Sequence, residues 1–366
     1  MENLRVFVVD DSSMYRRLLT RAVESMENIK MVGTAPTGSI ALQKVSSAQP
    51  DVVLLDIEMP DMNGIQVLEN LKAQFPAVEV VLISGVNSRS ADVVMDGLSK
   101  GAVDFIPKPE GDSLEDNIQE LTQRLRDVFR AVQTLHFTRK ARGETPAVPA
   151  VPPPSLHLPP AGAVPSRMTT IVPVKFSLVA VGVSTGGPKA LEEFIPRLPQ
   201  GLPVPVVVVQ HMPPVFTASL ARQLEKKSKL RVVEGADRMA VEPGTVYIAP
   251  GGIHTLVEAD SSGNMHLRMN DGPPVNSCKP AVDVMFRSVA EFAGGRTLAI
   301  IMTGMGKDGL YGVELIKGKG GYCLTQSPET CVVYGMPQAV DQARLSDESV
   351  PLELLAQRVK TLLNLS

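Results

Sequence analysis

Two sets of residues in this 366-residue chain carry chemistry by type and by position. The first set is acidic. Asp10-Asp11 follow the apolar run Leu4–Val9, and Asp56 follows Val52–Leu55. Ser84 follows Val78–Ile83, and Lys108 lies just beyond Val103–Ile106. If these runs are strands of one sheet, three carboxylates meet and repel unless a cation joins them. Hard oxygen donors suit Mg²⁺, which takes one or two carboxylates together with water and phosphate oxygens. A lysine and a hydroxyl beside them can hold the remaining oxygens of a phosphoryl group, so the chemistry that fits is phosphoryl transfer onto Asp56. Each residue alone has a plainer reading, as an acid pair at a helix N-terminus or a solvated turn lysine.

The second set centres on Gly182-Val183-Ser184-Thr185-Gly186-Gly187-Pro188, directly after the apolar run Leu178–Val183. A glycine-rich strand-to-helix turn of this kind serves as a phosphate cradle, a dinucleotide site or a mount for an exposed nucleophile. It lacks both G-x-G-x-x-G and G-x-x-x-x-G-K-[ST], whereas G-x-S-x-G is satisfied. A purely structural turn satisfies it too. A serine nucleophile needs a base, and His211 follows the apolar run Val204–Val209 in Gln210-His211-Met212-Pro213. An orienting acid is available as Asp308 in Gly304-Met305-Gly306-Lys307-Asp308-Gly309, beyond the run Thr297–Met302. Asp308 reads equally well as a helix N-cap. The order Ser184, His211, Asp308 excludes an ordinary α/β-hydrolase but no other triad, because triads are defined by geometry. His254 and His266 lie in hairpin-like stretches, Ile253–Glu258 and Met265–Arg268, and read as surface or structural residues. His136 and His157 fall at the end of the first domain and in the linker.

The elements that must position these groups follow from periodicity. Short β-branched runs at Leu4–Val9, Met31–Ala35, Val52–Leu55, Val78–Ile83 and Val103–Ile106 alternate with amphipathic stretches at Met14–Met26, Ile65–Phe75 and Ser88–Leu98, and a long helical segment covers Asp112–Gln133. Strands alternating with helices imply a parallel sheet covered on both faces, in which ligands gather at the carboxyl ends of the strands. The fold class is therefore α/β, with two doubly wound domains. Residues 143–170 hold eight prolines and two charges, a composition that cannot bury a core and reads as a semi-rigid linker. The expected division is a first domain over 1–125, a helical extension and Pro-rich linker over 126–175, and a second domain over 176–366.

Residues 1–142 carry a net charge of −4 and residues 171–366 a net charge of +1, so neither half has a nucleic-acid footprint. The N-terminal apolar run is too short for a signal-peptide core, and no run approaches the ~18 residues of a membrane span. Three cysteines, Cys278, Cys323 and Cys331, form no C-x-x-C pair, so neither a disulfide framework nor a zinc site is expected. Sixteen methionines and no tryptophan read as adaptable core filling.

Val9-Asp10-Asp11-Ser12, Asp56-Ile57-Glu58-Met59-Pro60 and Asp104-Phe105-Ile106-Pro107-Lys108-Pro109 make residues 1 to about 125 resemble a response-regulator receiver domain. That resemblance implies Mg²⁺ held in the Asp10, Asp11, Asp56 pocket with the Glu58 backbone carbonyl, and a phosphate arriving from a histidine kinase. Ser84 stands where threonine is also common, and Asn63-Gly64 replaces the frequent Asp-Gly. Downstream motifs extend the likeness: the Ser184 turn, Gln210-His211-Met212-Pro213 and Tyr247-Ile248-Ala249-Pro250-Gly251-Gly252. Ser277-Cys278-Lys279-Pro280-Ala281-Val282-Asp283, Met302 to Gly309 and Tyr334-Gly335-Met336-Pro337 complete it. With them the chain resembles the chemotaxis-type response-regulator protein-glutamate methylesterases over nearly its whole length. Lys307 stands where smaller residues are common in that family.

By this resemblance Ser184, His211 and Asp308 form the triad, and the second sheet carries a small antiparallel hairpin. The implied substrate is a glutamate γ-methyl ester on the cytoplasmic domain of a methyl-accepting chemoreceptor, with receptor glutamine deamidation as a second activity. Backbone N–H groups at Thr185 and Met305 are the candidates for the oxyanion site. No cofactor is expected for the esterase reaction, and no nucleic acid or membrane insertion; the implied location is cytoplasmic. A receiver joined to an esterase suggests control: the unphosphorylated receiver covers the Ser184 crevice and phosphorylation at Asp56 releases it. A non-catalytic binding module and a hydrolase for another acyl substrate remain the alternatives.

Overall fold

Strands buried on both faces must be apolar throughout, which is why the runs read from the sequence survive as strands almost unchanged. The computed structural model describes residues 3–109, 111, 113–142 and 176–365. The first domain runs β1 (Leu4–Val9), α1 (Ser13–Glu24), β2 (Ile29–Ala35), α2 (Gly38–Ala48), β3 (Val52–Asp56), α3 (Gly64–Gln74), β4 (Glu79–Ser84), α4 (Ser88–Ser99), β5 (Asp104–Pro107) and α5 (Leu114–Arg142). All neighbouring strands pair in parallel, in the order β2-β1-β3-β4-β5. Polar side chains start the helices by accepting backbone N–H groups: Ser12 for α1, Thr37 for α2, Asn87 for α4, and an Asn63–Gln66 capping box for α3. One sheet face packs on α1 and α5 through Leu18, Leu19, Leu125 and Phe129. The other packs on α2, α3 and α4 through Val45, Leu68, Leu71 and Val94. The helix expected over 112–133 continues to Arg142. The proline-rich stretch 143–170 lies outside the described residues.

The second domain runs β6 (Leu178–Val183), α6 (Gly187–Phe194), β7 (Val206–Gln210), α7 (Phe216–Lys227), β8 (Arg231–Glu234), β9 (Thr245–Ile248), β10 (His254–Ala259) and β11 (Met265–Asn270). It continues with α8 (Val282–Phe292), β12 (Thr297–Ile301), α9 (Leu310–Gly318), β13 (Tyr322–Gln326), α10 (Met336–Gln342), β14 (Glu348–Val350) and α11 (Leu352–Leu362). Seven parallel strands lie in the order β14-β13-β12-β6-β7-β9-β8, and β10 and β11 form a separate antiparallel hairpin. Helices α6, α7 and α11 cover one face, and α8, α9 and α10 the other.

This strand order decides where function can sit. β6 is first in sequence yet central, with β7 on one side and β12 on the other. The chain reverses its direction of travel across the sheet there, and the loops after β6, β7 and β12 open a crevice. In the first domain the same reversal falls between β1 and β3, the strands that end at Asp10 and Asp56.

Candidate active site

At the end of the first sheet, Asp10, Asp11 and Asp56 each offer a carboxylate oxygen, all within 4.8 Å of one another. Asp10 and Asp56 are buried. Lys108, carried past the end of β5, places Nζ 2.7 Å from Asp56 and 3.0 Å from Asp10. Burial is the main influence on Asp56 and pushes its carboxyl up to about 6, even though Lys108 pulls the other way. Tyr15 lies under the Lys108 ammonium, with the nitrogen 4.5 Å from the ring centroid. The Glu58 N–H donates to Asp56 Oδ1 at 3.2 Å, while the Glu58 side chain turns away and accepts from Ser90 Oγ at 2.6 Å. Ser84 is buried at the end of β4, and its hydroxyl donates to the Gly85 carbonyl at 2.9 Å. All the acidic-pocket residues read from the sequence thus share one edge.

In the second domain, Val183 and Gln210 are register partners on β6 and β7, so Ser184 and His211 are the next residues along adjacent strands. The His211 N–H donates to the Val183 carbonyl at 3.1 Å. Ser184 is held by its own backbone: its N–H donates to Thr303 O at 3.0 Å, and its carbonyl accepts from Gly187 N at 2.7 Å and from Gln210 Nε2 at 3.0 Å. Gly186 adopts φ +76°, a left-handed turn that lets α6 start immediately beyond the serine. The N-terminus of α6 therefore points its positive end at this turn. Among the described residues, the backbone N–H groups of Thr185 and Met305 make no hydrogen bond of their own.

His211 Nε2 lies 2.8 Å from Asp308 Oδ2, and both side chains are largely shielded from solvent. Burial alone would lower the His211 pKa, but the Asp308 carboxylate and the Cys278 sulfur outweigh it and bring it up to about 9. Asp308 moves down despite its burial, because His211, Asn276 and the Val282 N–H all favour the anion. The N-cap reading of Asp308 holds in altered form. The helix it caps is α8, through Val282 N at 2.6 Å and Asp283 N at 3.1 Å, and its own following Gly309 N–H joins at 3.1 Å. Asp283 of α8 returns the arrangement by accepting Gly312 N of α9 at 2.7 Å. Burial raises the Asp283 carboxyl.

Two further residues, which sequence reasoning passed over, come from the turn Val275–Cys278. The ends of this turn exchange backbone hydrogen bonds at 3.1 and 2.9 Å. Its central residues Asn276 and Ser277 have φ +52° and +62°, the double left-handed geometry of a tight I′-like turn, which asparagine tolerates well. Asn276 Nδ2 bridges Asp308 Oδ1 and Asp283 Oδ2, each at 2.8 Å. Cys278 Sγ lies 3.5 Å from His211 Nδ1. The ring thus presents one nitrogen to Asp308 and the other to the thiol, and no hydrogen bond joins the Ser184 hydroxyl to the imidazole among the described residues. His254, read as structural, is buried; its Nε2 lies 3.0 Å from the Pro273 carbonyl and its Nδ1 accepts Ala281 N–H at 3.2 Å.

Comparison with known proteins meets this geometry from outside. Residues 179–359 match the model of the CheB methylesterase family, and residues 6–125 match the response regulator receiver domain. A protein-glutamate methylesterase/protein-glutamine glutaminase of Desulfotalea psychrophila is 41% identical over 362 residues, covering 98% of both chains. The chain belongs to this methylesterase family. A relative of the same description from Thermotoga maritima is 37% identical, covering 97% of each chain. The crystal structure of the Thermotoga maritima CheB methylesterase catalytic domain superposes with a TM-score of 0.50 and 42% identity, covering 52% of this chain and all of that one.

Joined as they are in this family, the receiver and the methylesterase domain meet beside the serine. The Phe105 ring of β5 packs on Phe216 of α7 with centroids 4.5 Å apart. Asp92 of α4 accepts from Ser219 Oγ at 2.6 Å and from Arg222 at 2.7 Å, and Lys227 reaches Ser99 Oγ at 3.2 Å. A single apolar cluster runs from the α2–α4 side of the receiver into α6, α7 and α11. Thr185, one residue from Ser184, lies against the Asp104 carboxyl of β5; burial at this junction brings that carboxyl up to about 6 against the pull of the Phe105 N–H and the Thr185 side chain. The sequence marked only Ser84 and Lys108 as the switch; the adjacency of Asp104 to Thr185 joins segments 81 positions apart. No described helix is long and apolar enough to cross a membrane.

Proposed function

We propose that this protein is a phosphorylation-controlled protein-glutamate methylesterase and protein-glutamine glutaminase acting on methyl-accepting chemoreceptors. The observation that carries the reading is the 2.8 Å His211–Asp308 pair beside the Ser184 turn, at the reversal point of the second sheet. Ser184 Oγ attacks the γ-ester carbonyl, and His211 Nδ1, on the ring face opposite Asp308, takes its proton. General-base help of this kind is worth on the order of 10²–10⁴-fold. Hydrogen bonds between nucleophile and base commonly tighten only when substrate is bound, consistent with the Ser184–His211 arrangement. Asp308 fixes the ring and stabilises the imidazolium. The Thr185 and Met305 N–H groups, with the N-terminus of α6 behind them, receive the developing oxyanion. His211 then protonates departing methanol, or ammonia from a glutamine amide, and water resolves the acyl-serine.

The working division is a receiver over 1–125, a helical extension and linker over 126–175, and the esterase domain over 176–366. The donor set of the receiver pocket, three oxygen anions and a lysine, fits a hard divalent cation. Asp10, Asp11, Asp56 and the Glu58 carbonyl would hold Mg²⁺, which neutralises the incoming phosphoryl oxygens. Asp56 is the phosphoacceptor for a chemotaxis histidine kinase, with Lys108 and Ser84 reading the phosphoryl group. In the unphosphorylated state the β5–α4 surface rests on α7 and the Thr185 turn, and phosphorylation loosens it. The setting is the cytoplasm. Incubating the protein with methyl-labelled receptor fragments and collecting volatile label tests the esterase reading: release is expected, and it must vanish in Ser184→Ala. A small-molecule phosphodonor should raise the rate in the wild type; equal rates for wild type and Asp56→Ala would reject the control.

A further inference from the structure

We infer that His211 and Cys278 form a capture site for a soft divalent cation such as Zn²⁺, whose binding switches the esterase off. This inference rests on the proposed role of His211 as base. A zinc ion bonded to sulfur at about 2.3 Å and to nitrogen at about 2.05 Å, at a tetrahedral angle, sets those atoms about 3.5 Å apart. Cys278 Sγ and His211 Nδ1 stand 3.5 Å apart. The other ring nitrogen is held by Asp308 Oδ2 at 2.8 Å, the carboxylate–histidine pairing that orients metal-bound imidazoles and raises their basicity. An Asp308 carboxylate oxygen, a His211 ring nitrogen and the Cys278 sulfur all lie within 4.8 Å of one another.

The thiol is presented for binding. It ends the tight Val275–Cys278 turn, whose Asn276 side chain is tied to both Asp308 and Asp283. Neither ligand would need to travel. Both Cys278 and His211 are partly exposed, so a cation can enter and water can fill the remaining positions. Burial pushes the Cys323 and Cys331 thiols far up, which disfavours the thiolate a metal needs. On binding, Cys278 gives its thiol proton and the His211 imidazolium its Nδ1 proton to solvent, sulfur and Nδ1 then each donate a lone pair, and the nitrogen that would deprotonate Ser184 is no longer free. Mg²⁺ cannot substitute, because it prefers oxygen donors to thiolate. The chain thus carries two cation sites of opposite softness and opposite effect.

The test uses the full chain with excess Mg²⁺ to occupy the acidic pocket. Zn²⁺ is titrated into the methanol-release assay, with each protein normalised to its own zinc-free rate. Inhibition reversed by EDTA is expected, with the half-inhibitory Zn²⁺ concentration rising at least about tenfold in Cys278→Ser. In parallel, Co²⁺ titration should produce a near-ultraviolet thiolate charge-transfer band in the wild type and in Cys331→Ser, but none in Cys278→Ser. An unchanged half-inhibitory concentration in Cys278→Ser overturns the inference, as does a wild type without the band. The Co²⁺ band needs no turnover, so failure of the esterase reading, seen as no methanol in any arm, is distinguishable from failure of the metal site.

Discussion

Replacing Gly304 by alanine tests whether the position of Ser184 is what the second domain is built to hold. A Cβ added at Gly304 would stand 2.7 Å from Ser184 Cβ, 3.2 Å from Ser184 N and 2.5 Å from Met336 Sδ. Real Cβ contacts essentially never fall under 3.0 Å and become ordinary at 3.4 Å, so the serine and residue 304 must separate by at least 0.3 Å, and by 0.7 Å to reach ordinary contact. Gly304 does not lie in the left-handed region, so alanine accepts its backbone and the whole effect is steric. Met336 is fully buried and can yield little, and the Ser184 N–H is tied to Thr303 O at 3.0 Å. The serine is therefore the group that moves. Overpacking of this kind costs about 1–3 kcal/mol of stability, while a displacement near 1 Å at a reacting centre costs on the order of 10²-fold in rate. The assay is kcat/KM for methanol release from a methylated receptor fragment. Circular dichroism and receiver phosphorylation serve to show that the variant is folded. Gly318→Ala, exposed at the end of α9 with nothing within 4 Å, is the control and should match the wild type. A folded Gly304→Ala with kcat/KM within about twofold of the wild type would refute the reasoning, because the serine could then shift without loss.

Asp308→Asn leaves the shape but removes the charge that favours the imidazolium, and kcat should fall on the order of 10³–10⁴-fold; a small loss in steady-state turnover would remove Asp308 from the triad. Asn276→Ala deletes two 2.8 Å hydrogen bonds to carboxylates, each worth about 1.5–3 kcal/mol, and should lower kcat about 10- to 100-fold, against near-normal turnover if the turn is incidental. Because the His211 pKa is raised to about 9, the base is protonated below that value, and kcat/KM should climb as pH rises toward 9. Cys278→Ser removes a sulfur that favours the imidazolium, so the ascending limb should move to lower pH; superimposable profiles would deny the contact any electrostatic part. Asp92→Ala removes the bonds from Ser219 and Arg222 across the domain junction. These groups are partly exposed and worth about 1 kcal/mol together, so the unphosphorylated rate should rise several-fold while the phosphodonor-stimulated rate stays put.

How much of this was legible from residues alone follows physical lines. Strands sandwiched between helices must be apolar at every position, so Leu4–Val9 and Leu178–Val183 could be read with their observed boundaries. Acids that end such runs must gather at one edge of the sheet, which made Asp10, Asp11, Asp56 and Lys108 readable as a pocket. Ser184 announced itself through the glycines its turn requires. Asn276 and Cys278 carried no such signal, because a tight turn has no hydrophobic period and their triad partners, Asp308 and His211, are 32 and 67 positions away in the chain.

The sequence by itself determined the two parallel α/β sheets and the groups that stand at their carboxyl edges, since local burial patterns and turn chemistry suffice for both. Only the tertiary structure decided which partners those groups acquire. Asp308 caps α8 rather than the helix that follows it, His211 divides its two nitrogens between a carboxylate and a thiol, and Thr185 meets Asp104 of the other domain. The reason is physical: strand formation is encoded by near neighbours, whereas a pairing across 97 residues exists only once strand order and helix packing have closed the chain on itself.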